Sequence, residues 1–597
     1  MKSIYKISIL IFLFLVVAAL SYSMVGRWLD EELWGYRPLP LFLSAWALIV
    51  LGTESFALKH SKKWRWLGLS TLSGVLLWLG FPTLPLPFIM FIAFIPLLIV
   101  EKEISAMRAG TNKWAVFKYS YHTFVVWNIL TTYWVANTAF IASLVAIWLN
   151  SFFMTIPFIL FHQTRRVLPK TVYLAFIAFW ITFEYIHLNW EISWTWLNLG
   201  NSFASLPQLV QWYDYTGMFG GTLWILWMNV ILLPLALAFL QKEKIKWTKW
   251  VSPILVLAIP ILISLYKYNT YQEQGELVEV VTTQPTYEPH YEKFALPKSQ
   301  QLAGLIELAE SKITEQTQYL VFPETVVGAI EKDQLGKEPL TRRMREFVST
   351  YPNLKLVTGI TTYDFLEGTI KNQLPESARE SKDRNGNVSY YEVYNSAIQI
   401  DNVNEEFPFY IKSKLVPGAE FLPYQQFFFW LEPLVHTLGG SLEGLGNQAE
   451  REVFASATGK IAPEICYESI YGEYTAGFVR NGAEAIFVMT NDGWWDNTAG
   501  HRQHLQFARL RAIETRRPVV RSANMGVSAF INQRGDIKQQ GEYDQATALR
   551  DNVHFNQKLT FYTIWGDMIG RIGLFTAILL LMNTFVKTLT KKEESVD

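Results

Sequence analysis

A thiol, a carboxylate and an amine stand at the ends of three β-rich stretches in the second half of this chain. Cys466, in Pro463-Glu464-Ile465-Cys466-Tyr467-Glu468, is the single cysteine among 597 residues, so it cannot be half of an internal disulfide. Glu324 follows Val321-Phe322-Pro323, and Lys412 lies in Tyr410-Ile411-Lys412-Ser413-Lys414-Leu415-Val416-Pro417. Together these side-chain types can carry acyl transfer. A free thiol titrates near about pH 8.5 and is only a few per cent thiolate at neutral pH, so attack needs a base to take its proton. Glu324 is the candidate base. The tetrahedral intermediate places negative charge on the former carbonyl oxygen, where one fixed donor is worth about 3 to 4 kcal/mol. Lys412 can supply that donor, with the backbone N–H of Tyr467 as a second. Taken singly, each residue has a plainer reading: packed core thiol, helix-capping carboxylate, solvated lysine.

The elements that must position them alternate in type. Apolar β-rich runs predict strands over 277–283, 319–323, 355–361, 394–400, 460–466, 485–490, 518–523 and 527–532. Helices are expected over 297–315, 338–350, 470–480 and 501–516. Such alternation argues for sheets covered by helices, an α/β layered domain. The charged stretch 375–389 reads as a solvated excursion. Residues Phe427 to Leu431 form an aromatic run that suits either a lid dipping toward a membrane or a buried core segment. The glycines at 439, 440, 444 and 446 would give that run hinge freedom. The arginines at 502, 509, 511, 516 and 517 read as a solvated or salt-bridged helix face, or as contacts to phospholipid headgroups.

Half the residues are hydrophobic and 52 basic side chains balance 52 acidic ones, which leaves no footprint for nucleic acid. The apolar residues gather before about residue 267 and after 563, in runs near the roughly 20 residues that a membrane helix needs. Ten spans are expected, over about 7–25, 41–58, 66–82, 87–101, 115–136, 140–162, 171–188, 217–240, 249–267 and 563–586. The first run, after Lys2 and Lys6, is read as a retained helix rather than a cleaved leader. Alternate loops are basic and therefore cytoplasmic, whereas 189–216 holds four tryptophans and no Lys or Arg, as expected at the outer interface. From a cytoplasmic N-terminus, nine spans put the 268–562 insert outside and the tenth returns the tail to the cytoplasm. An unpaired thiol in that oxidising setting favours a chemical role. Three parts result: a transmembrane domain over 1–267, an extracytoplasmic α/β domain over 268–562, and a last helix with its tail over 563–597.

The local sequences around the three residues resemble the nitrilase superfamily. Phe322-Pro323-Glu324-Thr325, the stretch from Tyr410 through Pro417 to Glu420, and Pro463 to Glu468 occur in that order, supported by Thr490 to Trp495 and His501 to Asn532. With the membrane helices, the chain from about residue 66 onward resembles the apolipoprotein N-acyltransferase family. The resemblance implies an αββα sandwich with Glu324 as general base, Lys412 as oxyanion donor and Cys466 as nucleophile. It further implies supporting roles for Glu420, Tyr467 and Glu468, and its register selects Lys412 over Lys414. Phe322, Gly418-Ala419 and Gly493 to Asp496 depart from the family pattern at the pocket wall. The implied partners are a phospholipid acyl donor and diacylglyceryl-modified apolipoproteins. The enzyme would be a monomer in the bacterial inner membrane, facing the periplasm, with no cofactor and no metal. Rival readings are a membrane-tethered nitrilase-type amidase, which shares the triad, and a transporter or receptor with a binding insert. The latter predicts ionisable residues within the spans, where Glu54, Lys118, His122 and Glu184 are the candidates. The spans before about residue 60 have no functional account at this level.

Overall fold

The computed structural model describes residues 3–53, 62–107, 114–293, 295–366, 373–428 and 444–593. Glu54, Phe429 to Leu431, Gly439 and Gly440 lie outside the described residues.

A helix closes its own backbone hydrogen bonds, which is what a segment in hydrocarbon requires. Among the described residues six helices are long and apolar enough to cross a membrane: Ile4–Leu29, Phe140–Val167, Pro169–Asn189, Met218–Leu240, Thr248–Thr270 and Met568–Thr590. The other expected spans are also helical but shorter or more polar, at Pro38–Gly52, Lys63–Leu79 and Ala115–Thr132. The span expected over 87–101 is broken, as Pro87–Ile89, Met90–Ala93 and Ile95–Ser105. Within these helices Glu184 accepts from Trp180 Nε1 at 3.0 Å and Thr222 Oγ1 at 2.7 Å, while His122 accepts from Trp46 Nε1 at 3.0 Å. These polar groups tie helices together, as packing in lipid demands.

The α/β part holds two sheets. One runs in the order Thr547–Phe555, Glu276–Gln284, Tyr319–Val321, Lys355–Phe365, Val388–Ile400 and Arg379–Lys382, with Val327–Glu331 and Phe409–Ile411 paired beside it. The other runs Ile537–Gln540, Ala529–Ile531, Val519–Ala523, Ala485–Thr490, Gly459–Ile465 and Phe454–Ser456. Ala485–Thr490 is buried along its whole length between two parallel neighbours, which explains an apolar run without alternation. The sheets pack face to face, with Ser522 Oγ donating to the Thr283 and Val321 carbonyls at 2.9 and 3.1 Å. Helices Lys298–Glu310 and Pro339–Ser349 cover the first sheet, and Gly472–Arg480 and Ala499–Thr515 the second, giving an αββα sandwich.

One local expectation changes. The 375–389 stretch contains a strand, Arg379–Lys382, paired antiparallel with 388–391, although its turn is exposed. Of the tryptophans of 189–216, Trp190, Trp194 and Trp212 are half-buried. Trp196 is buried and donates to Gln503 Oε1 at 2.6 Å, because an indole N–H taken from water needs a partner and the second domain supplies it. The arginines at 502, 509, 511, 516 and 517 bear out the salt-bridged reading at two positions. Arg511 pairs with Glu514 at 2.7 Å, Arg516 with Asp214 at 2.9 Å, and Arg517 donates to the Ala483 and Lys558 carbonyls at 2.8 Å each. Arg502 alone of the five is exposed, and it donates to Asn497 Oδ1 at 2.9 Å.

Candidate active site

Cys466 ends the strand Gly459–Ile465 and opens the tight helical turn Cys466–Ile470, with its backbone in the left-handed region at φ 49°. A β-to-turn corner of this kind costs of order 1 kcal/mol and needs fixing from outside. Glu468 does so from the third residue of the turn. Its Oε2 accepts from Ile465 N at 2.8 Å, while Oε1 accepts from Tyr410 Oη at 2.6 Å, Ser413 N at 2.7 Å and Lys414 N at 3.2 Å. One buried carboxylate thus binds the Cys466 corner to the loop that carries Lys412.

Lys412 follows the strand Phe409–Ile411 and donates its N–H to the Asn395 carbonyl at 2.9 Å. Its ammonium is 1% exposed, 2.7 Å from Glu420 Oε1 and 3.6 Å from Glu324 Oε1. Burial alone would strip its proton, but Glu420, Glu324 and the Cys466 sulfur raise its pKa above the usual lysine range. Glu324 lies just beyond Tyr319–Val321, and Asn395 Nδ2 donates to its Oε1 at 2.7 Å. Gly359 is needed opposite, since a Cβ there would sit 2.7 Å from the Glu324 Cα. Burial and the Glu324 charge push the Cys466 thiol up, outweighing Lys412.

Glu324, Lys412, Glu420, Cys466 and Tyr467 line one cavity of about 630 Å³. Its far wall is membrane helix: Ile141, Ala142, Val145 and Leu149 of Phe140–Val167 face the same space. Tyr467 Oη donates to the Ser193 carbonyl at 3.0 Å, attaching the Cys466 turn to the helical part. Lys414 is elsewhere, with its Nζ 5.2 Å from the centre of the Tyr471 ring. Phe427, in the turn Gln425–Phe428, is 68% exposed.

Two family models match: the apolipoprotein N-acyltransferase N-terminal domain over residues 73–231, and carbon-nitrogen hydrolase over 289–551. The apolipoprotein N-acyltransferase of Chlorobaculum tepidum is 30% identical over 534 residues, 87% of this chain and 96% of that one. The chain belongs to the apolipoprotein N-acyltransferase family. The same-named protein of Geobacter metallireducens is 25% identical to this acyltransferase over 84% of its chain and 92% of the relative's. Among solved structures, Saccharomyces cerevisiae Nit3, of the nitrilase superfamily, is 16% identical with a TM-score of 0.33, over 49% of this chain and 95% of that one.

Reading along the sequence had missed several groups that the acyltransferase places around the triad. Asn395 sat unremarked in a predicted strand, yet it donates to Glu324 and, at 3.3 Å, to Glu420 Oε1. Lys293 is buried beside Glu324, donating to the Glu324 carbonyl at 2.8 Å and Thr325 Oγ1 at 2.7 Å. Burial depresses its ammonium to about 7. His504 lies between Asp492 Oδ1, 3.0 Å from its Nδ1, and the Cys466 carbonyl, 3.1 Å from its Nε2. Burial would raise Asp492, but Arg521 and His504 hold it well below the usual carboxylate range. The 490–495 and 501–532 stretches had supported the resemblance, but their chemistry was invisible without the fold.

Proposed function

We propose that this acyltransferase works by a ping-pong mechanism through a thioester on Cys466, with a phospholipid as acyl donor and the N-terminal amine of a diacylglyceryl-modified apolipoprotein as acceptor. Glu324 takes the thiol proton as the sulfur attacks the donor's ester carbonyl. Lys412 and the Tyr467 N–H bear the oxyanion, and collapse expels the lysophospholipid alkoxide, which receives the proton from Glu324. The acceptor amine then attacks the thioester, Glu324 removes the amine proton, and Cys466 leaves as thiolate and is reprotonated. An amide bond replaces the ester bond. Glu420 holds Lys412 charged and in place, Glu468 keeps the Lys412 loop on the nucleophile corner, and Tyr467 docks that corner on the helical part.

The observation that carries this reading is the continuous cavity running from Cys466 to the apolar face of helix Phe140–Val167. A two-chain lipid can lie along that wall, whereas a small amide substrate has no use for it. That wall weighs against the tethered-amidase reading, which shares every triad residue. The same reading makes the protein a monomer of the bacterial inner membrane. Residues 268–562 then face the periplasm between membrane parts 1–267 and 563–597, and both termini are cytoplasmic.

The test is to incubate the purified protein with phospholipid alone and examine Cys466 by mass spectrometry. A fatty-acyl mass on Cys466, discharged by a diacylated lipopeptide but only slowly by water, is the expected result. Transfer that persists in both Cys466→Ala and Cys466→Ser would sink the nucleophile assignment, and rapid discharge by water would favour the amidase.

A further inference from the structure

The first two helices, Ser3–Leu29 and Pro38–Gly52, lie ahead of the matched N-terminal family region, which begins at residue 73. They form a hairpin whose turn is closed by side chains: Trp34 Nε1 donates to the Met24 carbonyl at 2.9 Å and Arg37 Nε to Ser23 Oγ at 3.1 Å. The first helix is mostly turned outward, with Phe12 and Phe14 65% and 61% exposed. The second is turned inward, against Ala115–Thr132, and its aromatic side chains reach the element that walls the cavity.

Helix Phe140–Val167 has two faces of different use. Ala142, Val145, Ala146 and Leu149 line the cavity, while Phe140, Leu144 and Trp148, at steps of four, form another stripe. The hairpin packs on that second stripe. Phe140 meets the rings of Trp34 and Phe42 at 5.8 and 5.7 Å, and Trp148 meets Trp46 at 5.2 Å. Trp46 is also tied by its hydrogen bond to His122, whose Nε2 lies 2.8 Å from Thr71 Oγ1. The hairpin is thereby anchored to two neighbouring helices. At Ala139 the chain is extended (φ −157°, ψ 115°), so Phe140–Val167 is not a continuation of Val135–Thr138 and its lateral position depends on packing. The hairpin turn also reaches the cavity mouth. Asn137 Nδ2 donates to the Gly35 carbonyl at 3.1 Å and to the Trp495 carbonyl at 3.4 Å, and the Tyr36 ring lies 5.7 Å from that of Tyr133.

We propose that this N-terminal hairpin is a specificity element for the acyl chain: by backing Phe140–Val167 it fixes the width of the membrane-side arm of the cavity, and so selects among donor chains by length. The inference rests on the thioester reading above. Ala142 and Ala146 leave room between Val145 and Leu149 on the cavity face, and the depth of that channel is set by how far the helix is held back. Truncating Phe42 or Trp46 removes the support from behind without touching a cavity-lining side chain.

The experiment uses the full-length protein in nanodiscs with an equimolar mixture of phosphatidylglycerols bearing matched saturated chains from lauroyl to stearoyl. The readout is the distribution of acyl masses on Cys466. The wild type is expected to favour a narrow set of lengths. Phe42→Ala and Trp46→Ala shift the long-to-short ratio by about threefold or more, a discrimination of the size a few methylenes provide. Trp46→Phe, which keeps a ring against Trp148, stays near wild type, as does Ile49→Ala on the hairpin's exposed side. Acylation of the alanine variants with an unchanged length distribution, or loss of all lengths in parallel, would overturn the proposal. Absence of any adduct on wild-type Cys466 would instead overturn the thioester reading, and this inference with it.

Discussion

The Cys466 corner sets two charges against each other: Glu324 disfavours the thiolate and Lys412 favours it. Two substitutions should therefore move thiol reactivity in opposite directions while both abolish turnover. In Glu324→Gln the pH midpoint for alkylation of Cys466 by iodoacetamide moves down, because a negative neighbour is gone, yet acyl transfer falls by about 10²-fold or more for want of a base. In Lys412→Met the midpoint moves up, and transfer falls by about 10²- to 10³-fold as the oxyanion loses its donor. Parallel shifts of the two midpoints would contradict the charge arrangement. A carboxylate on the strand that leads into Cys466 makes a prediction about pH. Burial raises Glu464 from 4.5 to about 8, with the nearby Glu468 charge adding to it. Between those values the unfolded chain releases a proton that the folded chain keeps, so this group's contribution to stability is lost as pH rises from 4.5 toward about 8. Thermal unfolding of Glu464→Gln should lack that decline and exceed the wild type at the alkaline end by an amount of order a few kcal/mol.

At the scale of elements, Asp214 is the joint between parts. It lies in the first turn of the short helix Tyr213–Thr216, accepts from Lys267 at the end of Thr248–Thr270 at 2.5 Å, and accepts from Arg516 at the left-handed end of Ala499–Thr515 at 2.9 Å. Asp214→Ala leaves a buried guanidinium facing an ammonium. The expected cost is about 3 kcal/mol or more, seen as a lowered unfolding temperature with the Cys466 acylation chemistry preserved in the surviving folded fraction. An unchanged melting profile would mean that the two parts are held together by their other contacts, such as Trp196 with Gln503 and Tyr467 with Ser193.

For the whole molecule, the charge argument predicts that the basic loops and the α/β part lie at opposite ends of the helices. The exposed turn at Asp383 to Asn387 gives a way to test orientation, since it carries Arg384 and follows Lys382 at the tip of a hairpin. Trypsin added to intact spheroplasts should cut there, and cutting that occurs only after lysis would reverse the topology. If the cut chain keeps its acyl-transfer activity, the excursion is outside the catalytic machinery.

Residue types and apolar runs in the chain picked out Glu324, Lys412 and Cys466 as candidates and located the apolar helices and the strands of the sandwich's centre, because buried parallel strands are continuous apolar stretches of recognisable length. Edge strands such as Arg379–Lys382, Ile537–Gln540 and Thr547–Phe555 escaped notice, since they are half polar and are strands only by virtue of a partner such as Glu276–Gln284. The tertiary structure alone decided what the polar side chains do. Glu468 serves a loop 55 residues away, Arg516 an aspartate 302 away, and His504 a carbonyl 38 away. No local pattern encodes such bonds, because they exist only once packing has brought buried donors and acceptors together and removed the water that would otherwise satisfy them.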